Sequence, residues 1–111
     1  MPAYGIGLLQ DVTLGPRMQA YLEALDDTLT PYGGRFLVHG GRNHVLEGEW
    51  EGQVILLEFP DFLRARQWYK SAEYQAIIAH RTAESRGVIM LCNGVSPGHV
   101  ATDVLRVAAP G

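Results

Sequence analysis

The chain has 111 residues, 47% hydrophobic and 19% charged, with a net charge of −3. That length fits one domain, that balance excludes a disordered chain, and Lys and Arg too scattered to form a basic stripe argue against a nucleic-acid partner. With no run of roughly 18 apolar residues, no signal-peptide pattern at Met1-Pro2-Ala3-Tyr4 and a single cysteine, Cys92, that cannot close an internal disulfide, the expectation is a cytoplasmic protein that does not enter a membrane.

Tyr4 to Gln10 is short, apolar and glycine-containing and reads as a first strand. Gly15-Pro16 opens a helix, because proline suits the first helical position. Met18, Tyr21, Leu22, Leu25 and Leu29 follow at helical spacing, and Gly33-Gly34 ends the element. Arg35 to Val38 begins a second strand, which Gly40-Gly41 interrupts as a bulge and Asn43 to Glu47 resumes. A hairpin loop over 48–52 leads into a third strand, Gln53 to Phe59. Asp61 is placed to cap a helix carrying Phe62, Ala65, Trp68 and Tyr69 on one face. Ser71 caps a further helix with Tyr74, Ile77 and Ile78 on its apolar side, closed by Gly87. Val88 to Cys92 is a fourth strand. Val100 to Val107 reads as a fifth strand or a short helix.

The order is βαββαβ, the split βαβ or ferredoxin-like pattern of an α+β fold. It predicts a four-stranded antiparallel sheet with its helices on one face. Residues 1–94 form this domain. Residues 95–111 are an extension docked on the domain or on a partner copy. The run Val54-Ile55-Leu56-Leu57-Glu58-Phe59 is apolar on both sides, and such a strand must be covered on both sides. The helices cover one face only. The other would be a large exposed apolar patch, which a two-fold homodimer packing sheet on sheet removes.

Four segments carry a resemblance: Tyr32-Gly33-Gly34-Arg35-Phe36-Leu37-Val38-His39-Gly40-Gly41, Leu46-Glu47-Gly48-Glu49-Trp50, Leu57-Glu58-Phe59-Pro60, and Trp68-Tyr69-Lys70-Ser71-Ala72-Glu73-Tyr74-Gln75. In this order, over about residues 3 to 94, the chain resembles the DUF1330 family of small bacterial proteins. The resemblance implies a dimeric α/β-barrel built from two ferredoxin-like protomers. It implies no activity. The chain departs from the family pattern at Thr13-Leu14-Gly15-Pro16, which replaces a tighter Asp-Pro helix start, and in its longer tail after Gly94. Cofactor-independent monooxygenases and muconolactone isomerases share this barrel, but their chemistry would be carried here by analogy of fold alone.

Glu58 is the first candidate for chemistry. A carboxylate in an apolar interior either finds a cation or has its pKa raised by desolvation, and a raised value would suit a general acid or base. Folding the hairpin brings Arg42 opposite it, or Arg35 if the bulge shifts the register. The competing reading is a structural ion pair, or a strand end that reaches water. His39 is the second candidate, alternating with Arg35 and Leu37 onto one strand face, where it could form a proton-transfer pair with Glu58. Its structural reading is a histidine satisfied by backbone at the glycine kink. Trp68, Tyr69 and Tyr74 read as helix–sheet core or as an aromatic pocket wall, where a phenol could donate a hydrogen bond to a ligand. Arg81 and Arg86, at the end of the last helix, read as solvated or dipole-complementing in preference to anion-binding. The histidines at 39, 44, 80 and 99 lack metal-ligand spacing, and no dinucleotide or phosphate fingerprint occurs, so no cofactor is expected.

Two function classes stay open. One is a dimer holding a small apolar or aromatic molecule, with Glu58, His39 and an arginine (Arg35 or Arg42) at the polar end of the site and with cofactor-free acid–base chemistry there. The other is a dimer with a filled core that acts only through protein contacts. The first requires a pocket of roughly 300 Å³ or more with Glu58 or His39 on its wall.

Overall fold

The structure, a computed structural model, describes residues 1–107. Its elements are β1 (Ala3–Gln10), α1 (Pro16–Leu29), β2 (Arg35–His39), β3 (Gln53–Phe59), α2 (Phe62–Lys70), α3 (Ala72–Gln75), α4 (Ile78–Ala83), β4 (Arg86–Asn93) and α5 (Val104–Val107). The sheet order is β2-β3-β1-β4 and the pairings are antiparallel. This is the ferredoxin-like topology expected from the element order. Among the described residues no helix is long and apolar enough to cross a membrane.

The alternation of β1 sets the two faces of the sheet. Ala3, Gly5, Gly7 and Leu9 are buried beneath the helices, and Tyr4, Ile6 and Leu8 point the other way. The register carries this across the sheet: Gly5 and Gly7 oppose Leu57 and Ile55 on β3, and Leu91 and Ile89 on β4. The core is made by Met18, Tyr21, Leu25 and Leu29 of α1 with Phe59, Trp68 and Tyr74. Buried polar atoms in it are satisfied in a chain, with Trp68 Nε1 donating to Thr28 Oγ1 at 3.0 Å and Thr28 donating to the Leu25 carbonyl at 2.7 Å.

The caps are where the side-chain chemistry puts them. Asp61 accepts from the Arg64 amide at 2.8 Å, and the Ser71 hydroxyl from that of Tyr74 at 3.2 Å. The segment after Ser71 is not one helix, however. It breaks at Ala76–Ile77 into α3 and α4, and α4 ends at Ala83. Gly87 lies inside β4 instead of closing the helix. A Cβ there would stand 2.0 Å from the Leu8 carbonyl oxygen, so the close approach of β1 excludes every side chain.

The second strand differs from the sequence expectation. β2 stops at His39 and does not resume over 43–47. Gly40 turns the backbone to φ +68°, and residues 40–52 form an open loop in which the Asn43 side chain donates to the Gly52 carbonyl at 3.1 Å. The bulge falls earlier, between Phe36 and Val38.

The helix-free face carries Tyr4, Ile6 and Leu8 flanked by Val54, Leu56, Val88 and Met90. Val38, Val88 and Met90 are exposed on it. In the tail, 101–107 is helical, and the described hydrogen bonds after Ser96 run within the segment, as from the Val100 amide to Asp103. Val100, Val104 and Leu105 are exposed. The last four residues of the expected extension lie outside the described residues.

Candidate functional site

Glu58 lies on the helix-free face with Leu56 and Val54, directly across from Arg35. Arg35 Nε and Nη2 donate to the same oxygen, Glu58 Oε1, at 2.9 and 2.7 Å. The two side chains are 66% and 25% exposed. Within one chain this is a surface-edge ion pair and not a desolvated carboxylate. Arg42 does not reach it. It sits in the 40–52 loop, exposed to solvent.

His39 does not share the face of Arg35 and Glu58. The extra residue at the bulge reverses the alternation, since a one-residue slip sends every later side chain to the opposite side. Phe36 and His39 therefore both point toward the helix layer, opposite Leu57 and Ile55. Their rings stack, with centroids 4.3 Å apart and planes inclined by 15°. The expected Glu58–His39 proton-transfer pair is not formed, because the sheet separates its members.

A cavity of about 90 Å³ lies under α1, on the helix side of the sheet. Its floor is β1 at Gly5 and Gly7. These glycines have ordinary extended backbone, so what they contribute is room. Their absent side chains leave a hollow bounded by Ile55, Leu57 and Ile89 below and by Met18, Tyr21 and Leu25 above. At the open end stand Leu14 and Leu22, both exposed, and His39. His39 on the cavity wall meets one half of the expectation drawn from the sequence, but the volume does not meet the other, the roughly 300 Å³ of an ordinary ligand pocket. The volume is well above the single-water voids tolerated in packed interiors. A broader hollow of about 670 Å³ beside Trp50 is a shallow depression of the loop surface walled by Gln10, Glu49 and Glu51.

The inner end of the cavity is polar. Tyr21 and Tyr74 put their hydroxyl oxygens 2.8 Å apart, and either can donate. Burial, reinforced by the Tyr74 hydroxyl, pushes the Tyr21 phenol far above its ordinary pKa, while the charge of Arg81 pulls the other way. Tyr21 is therefore a neutral hydrogen-bonding group. Arg81 stands with its guanidinium carbon 5.9 Å from the centre of the Tyr21 ring. It is only 6% exposed, and its Nε has no partner among the described residues.

Of the residues singled out from sequence, the cavity brings together His39, Trp68, Tyr74 and Arg81. Glu58, Arg35 and Arg42 are elsewhere. Tyr69 is half-buried against Trp68 and Tyr74 and is not on the cavity wall. Arg81 was expected in solvent and is buried. It falls on the apolar stripe of Tyr74, Ile77 and Ile78, seven, four and three residues behind it, and that spacing was the available signal. Arg86 is exposed beside Asp11, as expected of a solvated end.

The fold has relatives among solved structures. A crystal structure of the RPA0582 protein from Rhodopseudomonas palustris, of unknown function, superposes with a TM-score of 0.64 at 18% identity, covering 86% of this chain and 84% of that one. The methylated form of RPA0582 gives 0.65 at 18% identity, with 88% and 84% covered. A protein from Jannaschia sp. CCS1, described as a dimeric ferredoxin-like protein of unknown function, gives 0.60 at 18% identity, covering 86% of this chain and all of that one. No curated protein matches the chain. Across residues 2–95 it matches the family described as Domain of unknown function (DUF1330), and it belongs to that family.

Proposed function

We propose that the protein is a homodimer that binds a small, mainly apolar molecule in the cavity between α1 and the sheet. The observation that carries the binding reading is the hollow opened by Gly5 and Gly7. Two consecutive inward positions of a central strand give up side chains, at a cost in strand stability, and although Leu57, Phe59 and Ile89 close in to contact distance of the missing Cβ positions, about 90 Å³ stays open. An apolar ligand entering such a space gains about 0.8 kcal/mol for each methylene group removed from water. A hollow of about 90 Å³ admits only a few carbon atoms, so the molecule is small or leaves part of itself at the mouth, against Leu14, Leu22 and His39.

The dimer reading rests on the helix-free face. Val38, Val88 and Met90 are exposed there beside Ile6, Leu8 and Leu56, and a solvated apolar sheet face of this kind invites a partner. The Jannaschia relative is described as dimeric. A second copy packed on this face covers it by two-fold symmetry, and the apolar tail residues Val100, Val104 and Leu105 then have a partner surface to dock on. The Arg35–Glu58 pair lies on the same face and serves in this reading as a structural pair at the interface. His39, on the other face, belongs to the ligand entrance.

Uptake of small apolar probes, followed by amide chemical shifts, tests the binding reading. Met18, Tyr21, Leu57 and Tyr74 should respond, and Gly5→Ala, which narrows the hollow, should weaken the response. A protein whose core signals ignore every probe has a filled core and acts through protein contacts alone.

A further inference from the structure

Arg81 is a buried charge without a counter-charge. No carboxylate among the described residues lies within 4 Å of it; the ion pairs found join Arg35, Arg86, His99 and Arg106 to their partners. The nearest candidate in sequence, Glu84, spends its Oε2 on the amides of Gly15 and Met18. His80, on the same helix, accepts from Arg17 at the exposed side. A guanidinium in a protein keeps its charge. A buried, unpaired one is therefore strongly unfavourable, and the Tyr21 ring offsets only part of that.

The neighbouring hydroxyls add to the mismatch. Tyr21 and Tyr74 have two phenolic protons and one mutual hydrogen bond. The second proton has no acceptor among the described residues. The inner end of the cavity thus carries the Arg81 guanidinium, which reaches the Tyr21 hydroxyl but leaves its Nε unpartnered, and one phenolic O–H without an acceptor. The remainder of the wall is mainly apolar, with the aromatic Phe36 and Trp68 among the aliphatic residues and His39 and Gln53 as its other polar members.

We propose that the inner end of the cavity is a carboxylate site, in which Arg81 and the free phenolic proton of the Tyr21–Tyr74 pair bind the head of a small apolar monocarboxylate whose hydrocarbon part fills the hollow over Gly5 and Gly7. This rests on the cavity-binding reading above and names its ligand class. The chemistry selects the class. Two oxygens match a planar donor fork, one negative charge balances one cation, and a hydrocarbon tail suits the mainly apolar wall. An inorganic oxyanion would leave further oxygens against Leu57 and Ile55 with nothing to bond.

The test titrates the intact protein with the sodium salts of straight-chain acids from acetate to octanoate, and with the matching primary amides, by calorimetry and by NMR of arginine Nε–H groups. Carboxylates should bind at least about tenfold more tightly than their amides. One arginine Nε–H resonance should move on carboxylate addition and not on amide addition. Arg81→Met should abolish the preference while keeping amide binding. Equal affinity for acids and amides overturns the carboxylate site and leaves the apolar cavity standing. Binding of neither series overturns the cavity reading and this site with it. A preference that survives in Arg81→Met assigns the anion to another cation and overturns the proposal. Should that variant not fold, the acid–amide comparison and the Nε–H response of the unaltered protein decide alone: an unmoved resonance overturns the site.

Discussion

Glu84 follows the end of α4, yet its Oε2 accepts from the Met18 amide of α1 at 2.7 Å and from the Gly15 amide at 3.0 Å. Helix α1 begins at Pro16 and has no side-chain cap of its own. A carboxylate from a distant segment supplies it, where free N–H groups and the helix dipole favour negative charge. The Thr13 amide also donates to the Glu84 carbonyl at 2.8 Å. This clamp fixes the loop that carries Leu14 at the cavity mouth, and it holds α4, with Arg81, against α1.

Glu84→Ala should accordingly lower unfolding free energy by about 1–2 kcal/mol. Gly15→Ala should cost a similar amount for a steric reason, since a Cβ at residue 15 would stand 2.4 Å from Glu84 Oε1. Both substitutions break the same contact. Urea denaturation of the double variant should show less than the sum of the two losses, and full additivity would mean that the two substitutions do not act through one contact.

The open sheet face gives a prediction about mass. Light scattering at micromolar concentration should return twice the chain mass, and Ile6→Lys, central on that face, should return a monomer with unchanged far-ultraviolet circular dichroism. A monomeric parent protein would remove the sheet-on-sheet dimer.

Three glycines should respond to alanine in graded order. At Gly5 a Cβ meets Leu57 Cδ1 and Phe59 at 3.5 and 3.6 Å, ordinary contact in extended backbone. Gly5→Ala should therefore stabilise by about 0.4–1 kcal/mol, by restricting the unfolded chain. At Gly7 the Ile89 Cδ1 atom is at 3.3 Å, so the gain should shrink or vanish. Gly87→Ala should destabilise strongly, since the obstacle is the Leu8 carbonyl of β1. Thermal unfolding of the three variants checks the order, and a destabilised Gly5→Ala would show that the hollow is not available space.

Much of this frame was legible because its signals are local. Proline at the start of α1, the caps at Asp61 and Ser71, and the alternation of β3 each act within a few residues. The misreadings arose where one residue decides orientation. The bulge at Leu37 carries no glycine or proline to mark it, and it alone moves His39 to the opposite face, while the long open connection over 40–52 makes Arg35, not Arg42, the partner of Glu58. The loop at 43–47 has the composition of a strand, but a strand needs a partner edge, and that of β3 is already taken by Arg35 to His39. For Arg81 two local signals conflicted. Charge argued for solvent, and spacing from Tyr74 and Ile78 argued for the core. Packing followed the spacing.

The buried tyrosine pair gives a prediction about alkaline stability. Burial holds Tyr21 in its neutral form, so its pKa in the folded protein lies above the ordinary phenol value of about 10 that it has when unfolded. Below pH 10 both states keep the proton, and the stability it supports is fully present. Above pH 10 the unfolded chain releases the proton while the folded protein retains it, so unfolding is favoured as pH rises. The Tyr21 contribution to the slope approaches about 1.4 kcal/mol per pH unit. The groups facing this hydroxyl are Tyr74 and Arg81: the first reinforces the shift and the second opposes it. Urea midpoints measured from pH 8 to 11.5 should therefore fall more steeply for the parent protein than for Tyr21→Phe above pH 10, and should run in parallel below it. Parallel curves across the whole range would mean that the Tyr21 phenol ionises as freely in the fold as in the unfolded chain.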